Sequence, residues 1–255
     1  MFYFQALFMK EIPMNEAWIL GGSSGLGYEL VQEAVRRGIT PLVFGRKADR
    51  QVDLADRGSV AALCKTIDEM DESALNPMSF FIWNASILEY AKFDGMKNTS
   101  RMLDINVLHP TLVLRSLIAR KKFFHSPFHL ITVSSVASWK ARPEMAVYCG
   151  SKAYQAQFSR ALALDLERDL PGSKVTIVLP AGMKTNLFHE TDVNTSEFME
   201  PRLVAEIIWN QALTQTKFYD EFNILRQGAQ PVVSREMFAP ELAYDDLPRY
   251  NRRSS

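Results

Sequence analysis

Leu20-Gly21-Gly22-Ser23-Ser24-Gly25-Leu26-Gly27 joins an apolar run, Ala17-Trp18-Ile19-Leu20, to a segment in which Leu30, Val31, Ala34 and Val35 recur at helical spacing. The glycines therefore link a strand to a helix. A helix start offers unpaired backbone N–H groups and the positive end of a dipole to an anion. Glycine also lacks the Cβ that would keep a phosphate away from the backbone. Gly21, Ser23, Ser24, Gly25, Leu26 and Gly27 thus form a candidate phosphate-binding turn. By itself the stretch is equally compatible with a tight turn whose serines cap the helix. Its glycines are spaced G-x-x-x-G-x-G, which differs from the G-x-G-x-x-G dinucleotide fingerprint.

Outward from this turn the chain alternates apolar runs with amphipathic ones. Strands are expected at 18–20, 41–44, 79–83, 128–133, 174–178 and 222–225, and helices near 26–37, 57–70, 98–120, 148–169 and 201–214. Such alternation predicts parallel strands joined by helical crossovers, a doubly wound α/β sheet of Rossmann-like form in a single domain spanning 16–227. In such a sheet the ligand lies beyond the carboxyl ends of the strands. Residues 1–15 are an apolar extension with no basic leader, too short to span a bilayer, and receive no role. From 228 to 255 prolines mix with charges, which reads as an irregular tail or edge segment.

The 255 residues are 47% hydrophobic and 23% charged, with a formal net charge of +0, so a large core is possible and no overall field draws nucleic acid or an anionic membrane. Cys64 and Cys149 have no metal-ligand or disulfide spacing. No metal is expected, and a reduced, cytoplasmic protein is.

Each expected strand end then supplies a candidate. After 41–44 comes Gly45-Arg46-Lys47, where an arginine grips a 2′-phosphate and an acidic residue would have held ribose hydroxyls, so Arg46 favours NADP(H) over NAD(H). Solvated surface cations are the simpler alternative. Val52-Asp53-Leu54 follows so soon that the intervening helix is reduced to a loop; Asp53 either accepts from an adenine amino group or caps the next helix. Asp53 and Leu54 stand as candidate cofactor contacts, as do Asn84, Ala85 and Ser86 after 79–83. Asn84 is also open to reading as an ordinary residue of the strand-to-loop turn.

Candidate chemistry lies at Ser135, just past 128–133, and in Tyr148-Cys149-Gly150-Ser151-Lys152. Tyr148 and Lys152 are four apart on an expected helix and share a face. An ammonium beside a phenol should lower the tyrosine pKa and make Tyr148 an acid/base. Ser135 can donate to a carbonyl oxygen as charge builds on it. A Y-x-x-x-K pair alone is common on surface helices; the glycine turn and the strand-end serine give it weight.

With these residues in place, the sequence resembles the short-chain dehydrogenase/reductase family over roughly 16–225. Ser135 stands 13 positions before Tyr148, the family's usual spacing, and Ala146-Val147-Tyr148-Cys149-Gly150-Ser151-Lys152-Ala153 is similar to its active-site helix. Gly21, Gly25 and Gly27 match its glycine motif. Ile82-Trp83-Asn84-Ala85-Ser86 matches its Asn-Asn-Ala-Gly motif with departures at Trp83 and Ser86, and Pro180-Ala181-Gly182-Met183-Lys184-Thr185 departs at Ala181. The resemblance implies a catalytic set of Asn106, Ser135, Tyr148 and Lys152. In it Lys152 bonds the nicotinamide ribose, Asn106 helps hold a relay water, and Thr185 contacts the nicotinamide carboxamide. It implies reversible hydride transfer between nicotinamide and a small-molecule carbonyl or alcohol carbon, and a homodimer or homotetramer paired through the helices near 98–120 and 148–169. Leu187, Phe188, Phe198 and Met199 form either an apolar lid or part of the protein's own packing, and Trp139, Met145 and residues 85–88 are candidate pocket walls. A non-catalytic dinucleotide-binding protein on the same fold is the rival class, against which the complete catalytic set argues.

Overall fold

The computed structural model describes residues 16–48, 50–188, 191 and 193–236. Residues 1–15 and the tail beyond 236 lie outside the described residues. Eight strands form one sheet: β1 (Glu16–Leu20), β2 (Thr40–Gly45), β3 (Arg50–Gln51), β4 (Met78–Trp83), β5 (His129–Val133), β6 (Lys174–Pro180), β7 (Tyr219–Gln227) and β8 (Gln230–Ser234). Their spatial order is β3-β2-β1-β4-β5-β6-β7-β8, parallel throughout except for the antiparallel pair β7–β8. The order reverses between β1 and β4, where Leu20 is level with both Phe44 of β2 and Trp83 of β4. At such a reversal the two crossovers leave in opposite directions and open a crevice at the strand ends.

Both faces of the sheet are covered at its centre, so β1, β4, β5 and β6 are buried at consecutive positions. Trp18, Leu20, Phe81, Trp83 and Leu130 face the core under α2 (Arg57–Glu69), α5 (His109–Phe123) and α6 (Ala146–Asp169). Ala17, Ile19, Phe80, Ile82 and Val133 face the opposite core, under α1 (Gly25–Arg36) and α7 (Pro201–Thr214). Trp209 of α7 packs edge-on against Phe80 at 5.1 Å and donates its indole N–H to the Leu30 carbonyl at 3.0 Å, pinning α7 to α1.

The structure refines the sequence reading at three places. The helix expected at 98–120 is α4 (Thr99–Leu103), a π turn (Asp104–Leu108) and α5, after the short α3 (Glu72–Leu75). By length and composition the run Thr99–Phe123 is apolar enough to cross a membrane, yet half of it is buried within the fold. Lys121 on this run, fully buried, donates to the Leu75 and Met78 carbonyls and to Ser126 Oγ, as a core helix would. The stretch from 228, expected as an irregular tail or edge segment, is an edge segment in its described part, and a regular one: β8 pairs antiparallel with β7. Gly228, at φ +62°, opens the two-residue turn between Gln227 and Gln230. Asp53 does not cap α2: Asp56 does, accepting from the Gly58 and Ser59 amides at 3.0 and 3.2 Å.

Candidate functional site

At the crevice the glycine turn is built by backbone meeting backbone. A Cβ on Gly27 would lie 1.9 Å from the Gly21 carbonyl oxygen, and one on Gly21, itself at φ +88°, would lie 2.6 Å from Ala85 Cα. Asn84 braces the turn: its Nδ2 donates to the Gly21 carbonyl at 2.8 Å, while the Asn84 and Ala85 amides donate to the Leu20 carbonyl. The first turn of α1 carries no carboxylate, its N-cap Ser24 makes no side-chain cap bond, and Ser23 and Ser24 are exposed. This end fits a diphosphate: free helix-start amides, two hydroxyls and no competing anion. Leu26 is buried, so only its amide remains for such a contact.

Gly45, at the end of β2, packs beside Ser23, with 3.4 Å between the place of its missing Cβ and Ser23 Oγ, and delivers Arg46 and Lys47 to the same rim. Arg46, Lys47 and Arg50 are all exposed there. Asp53 accepts from the Ala55 amide at 2.9 Å, a local turn that holds its carboxylate at the end of the short β3. Leu54 is placed differently from expectation: its side chain belongs to the core, and its carbonyl accepts from His109 Nδ1 at 2.7 Å. Ser86 follows β4 with its hydroxyl buried and, among the described residues, unpartnered, as is Trp83 Nε1.

Ser135, Tyr148 and Lys152 come together between the ends of β5 and β6. Ser135 Oγ accepts from the Ala137 amide at 3.1 Å and donates to the Pro180 carbonyl at 3.3 Å. Tyr148 is buried among Met102, Ala137 and Met145, with Ile87, Leu88 and Leu187 packed around them. Burial pushes its pKa well above the ordinary phenol value, Ser135 pulls the other way, and Cys149 adds to the rise. The expected lowering by Lys152 is therefore corrected. The ammonium sits over the ring, 5.7 Å from its centroid, and donates to the Val133 carbonyl and to Gln155 Oε1, each at 3.0 Å. Desolvation brings Lys152 down to about 7.

Asn106 lies in the π turn, a one-residue widening that recurs at functional sites. Its side chain accepts from the Ile87 amide at 2.8 Å and donates to the Ile87 carbonyl at 2.9 Å and to Ser151 Oγ at 3.1 Å. It thus fixes the loop after β4 to α6. Its main-chain carbonyl accepts from Gln155 Nε2 at 2.8 Å. Thr185 reaches the glycine turn, its Cβ 3.2 Å from where a Gly25 Cβ would stand. Of the possible lid, Leu187 joins the cluster around Tyr148, whereas Met199 is fully buried and pairs with Met183. Phe198 packs on Gly182 and edge-on against Phe188 at 5.2 Å, with Arg226 over its ring. Residues 189, 190 and 192 lie outside the described residues. Trp139 donates to Asn223 Oδ1 at 2.9 Å, which ties the loop after β5 to β7.

Gln155 and His109 were not among the sequence candidates. Gln155 had a signal: positions 148, 152 and 155 fall on one helix face. His109 had none, because its partner is a backbone carbonyl 55 residues away.

The sequence pattern of the short chain dehydrogenase family matches residues 15–195. The chain belongs to this family of NAD(P)-dependent oxidoreductases. It is 29% identical over 215 residues to 11-beta-hydroxysteroid dehydrogenase-like 4A of Arabidopsis thaliana, covering 77% of this chain and 67% of that one. A short-chain dehydrogenase from Sphingobium yanoikuyae in complex with NADPH superposes with a TM-score of 0.71 at 20% identity, over 81% of this chain and 87% of that one. A 3-ketoacyl-(acyl-carrier-protein) reductase from Brucella melitensis complexed with NADH gives 0.68 at 18% identity, over 84% and 98%. The fold is thus shared with proteins solved with either nicotinamide cofactor.

Proposed function

We propose that this protein is an NADPH-dependent carbonyl reductase acting on a hydrophobic ketone or aldehyde. One observation carries the reading: a buried phenol, Tyr148, enclosed by apolar side chains with Lys152 over its ring, together with a glycine turn suited to a diphosphate. When bound, the nicotinamide supplies the hydride to the carbonyl carbon. Ser135 orients the substrate oxygen, and Tyr148 Oη donates its proton to that oxygen as negative charge develops, giving the alcohol. The raised phenol pKa keeps this proton in place at neutral pH, the form that reduction requires. Lys152 faces the tyrosine ring and would hold the nicotinamide ribose, while Asn106 holds the 85–88 loop against α6. Thr185, which reaches the glycine turn, would hold the carboxamide. The ring of Met102, Met145, Ile87, Leu88 and Leu187 excludes water and favours an apolar substrate.

Three neighbouring cations, Arg46, Lys47 and Arg50, favour a 2′-phosphate and hence NADPH. Exposed Leu103, Leu108, Tyr154 and Leu164 on α4 to α6 favour pairing of two copies through those helices. Free Cys64 and Cys149 accord with the reducing cytoplasm. The test is a thermal-shift titration with NADPH and NADH, followed by NADPH oxidation over small and bulky ketones, aldehydes and quinones. NADPH should stabilise the fold, and Arg46→Ala should weaken it about tenfold while sparing NADH. Stabilisation without turnover of any carbonyl would favour the non-catalytic, dinucleotide-binding alternative.

A further inference from the structure

Gln155 is fully buried and its side chain has two partners whose chemistry leaves no choice of orientation. Lys152 Nζ, at 3.0 Å, carries protons and, when charged, no lone pair, so it must face Oε1. The Asn106 carbonyl, at 2.8 Å, is an acceptor only, so it must face Nε2. A carboxylate at 155 would set oxygen against the Asn106 oxygen, and an aliphatic residue would strand both groups. Among side chains of this length, only the amide satisfies both ends. A water molecule can accept and donate in the same way, and relatedness alone implied a water beside Asn106. An amide differs in one respect: its N–H does not pass a proton on.

We propose that Gln155 is a positioning residue for Lys152, its amide bridging the buried ammonium to the Asn106 carbonyl as a fixed dipole in place of an exchangeable water. The inference rests on the reading of Lys152 as the partner of the acid Tyr148. The bridge also joins two elements, α6 and the π turn, so that the ammonium is held by the widened helix as well as by its own. Val133 of β5 supplies the remaining acceptor at 3.0 Å. From β5 and the π turn the groups facing the ammonium are neutral, Val133 and Asn106. From its own helix the facing titratable group is Tyr148, with Cys149 next to it. Desolvation is the sole cause that moves Lys152 from its ordinary value, and no carboxylate holds it. The Val133 and Gln155 oxygens are therefore what favour the charged form against burial, and Gln155 is the one of the two that a side-chain substitution removes.

The consequence has a sign. A lysine that loses its acceptor is neutral at lower pH, and one facing a carboxylate stays charged to higher pH. Detection of the Lys152 ammonium by nitrogen-15 NMR through a pH titration of the cofactor-free full chain reads this without any turnover. Gln155→Leu should lower the Lys152 pKa by about one unit, as expected for one lost bond to a charged group, and Gln155→Glu should raise it. In the NADPH-loaded enzyme, carbonyl reduction that depends on the ammonium declines as pH rises through that pKa. The decline should move down in Gln155→Leu and up in Gln155→Glu. An unmoved titration in both variants overturns the proposal, even if melting temperatures fall. Should Gln155→Leu not fold, Gln155→Glu alone decides by the direction of its shift. Absence of NADPH turnover in the parent protein would refute the reductase reading, and the NMR titration would still test the bridge.

Discussion

Around Gly21 the chain meets itself at main-chain atoms, with the Asn84 side chain as brace, whereas around Tyr148 every contact that matters runs through a side chain. At the first place the space left for a Cβ is negative: the Gly27 position lies 1.9 Å from the Gly21 oxygen and 2.6 Å from Asn84 Nδ2. At the second, four buried polar side chains, Ser151, Lys152, Gln155 and Asn106, are each bonded within the fold. The nucleotide end depends on what is missing from its residues, and the proton end on what they carry. A turn of this kind fails by steric intrusion, and a polar cluster fails when one partner is removed and the other is left buried and unpaired.

That contrast can be broken most severely at Tyr148. Tyr148→Phe keeps the shape of the apolar ring and removes the proton, so turnover should fall by about a hundred- to ten-thousandfold while nucleotide affinity, read by fluorescence titration, stays nearly constant. An undiminished rate would remove Tyr148 as the acid. Next comes Gly27→Ala. Its methyl group meets backbone on one side and Asn84 on the other, so thermal unfolding should register a loss at or above about 3 kcal/mol, and NADPH affinity should fall with it. Smallest, and opposite in sign, is Gly150→Ala. Gly150 lies on α6 two positions after Tyr148, is exposed, and has no atom within 4 Å of its absent Cβ. Alanine there should stabilise the protein by about 0.5–1 kcal/mol in the same measurement, with turnover preserved. Equal effects at Gly27 and Gly150 would erase the distinction between the two ends.

The same contrast governs what could be read without coordinates. Glycine spacing, strand-end position and the four-residue interval of Tyr148 and Lys152 are linear properties, and the structure sets Asn84 against Gly21 and Thr185 against Gly25, with Arg46 and Ser135 just past their strands. Burial is not linear. The Tyr148 pKa was expected to fall because an ammonium stood one turn away; it rises because the phenol is desolvated, with Cys149 adding to the rise. Leu54 looked like a cofactor contact because it follows a short strand, yet its apolar side chain gains more from the core under α2 and α5 than from a solvent-facing cleft. Asp53 and Asp56 are chemically alike, and the choice of cap turned on where the helix began, within the margin at which sequence patterns lose definition. The edge strand β8 was hidden because its pairing partner, β7, determines it more than its own five residues do.

The π turn at Asp104–Leu108 amounts to one residue inserted into an otherwise α-helical run. In an α-helix each residue advances the side chains by about 100°. The widened turn absorbs that advance, so α4 and α5 keep the phase of an uninterrupted helix on either side of it. Deleting one residue of Asp104–Leu108 would restore that helix with Val113, Leu114 and Leu117 still against the sheet, and the loss would fall on the bulge itself, which places Asn106 against Ile87 and Ser151. In this stretch the extra residue serves the site and not the core.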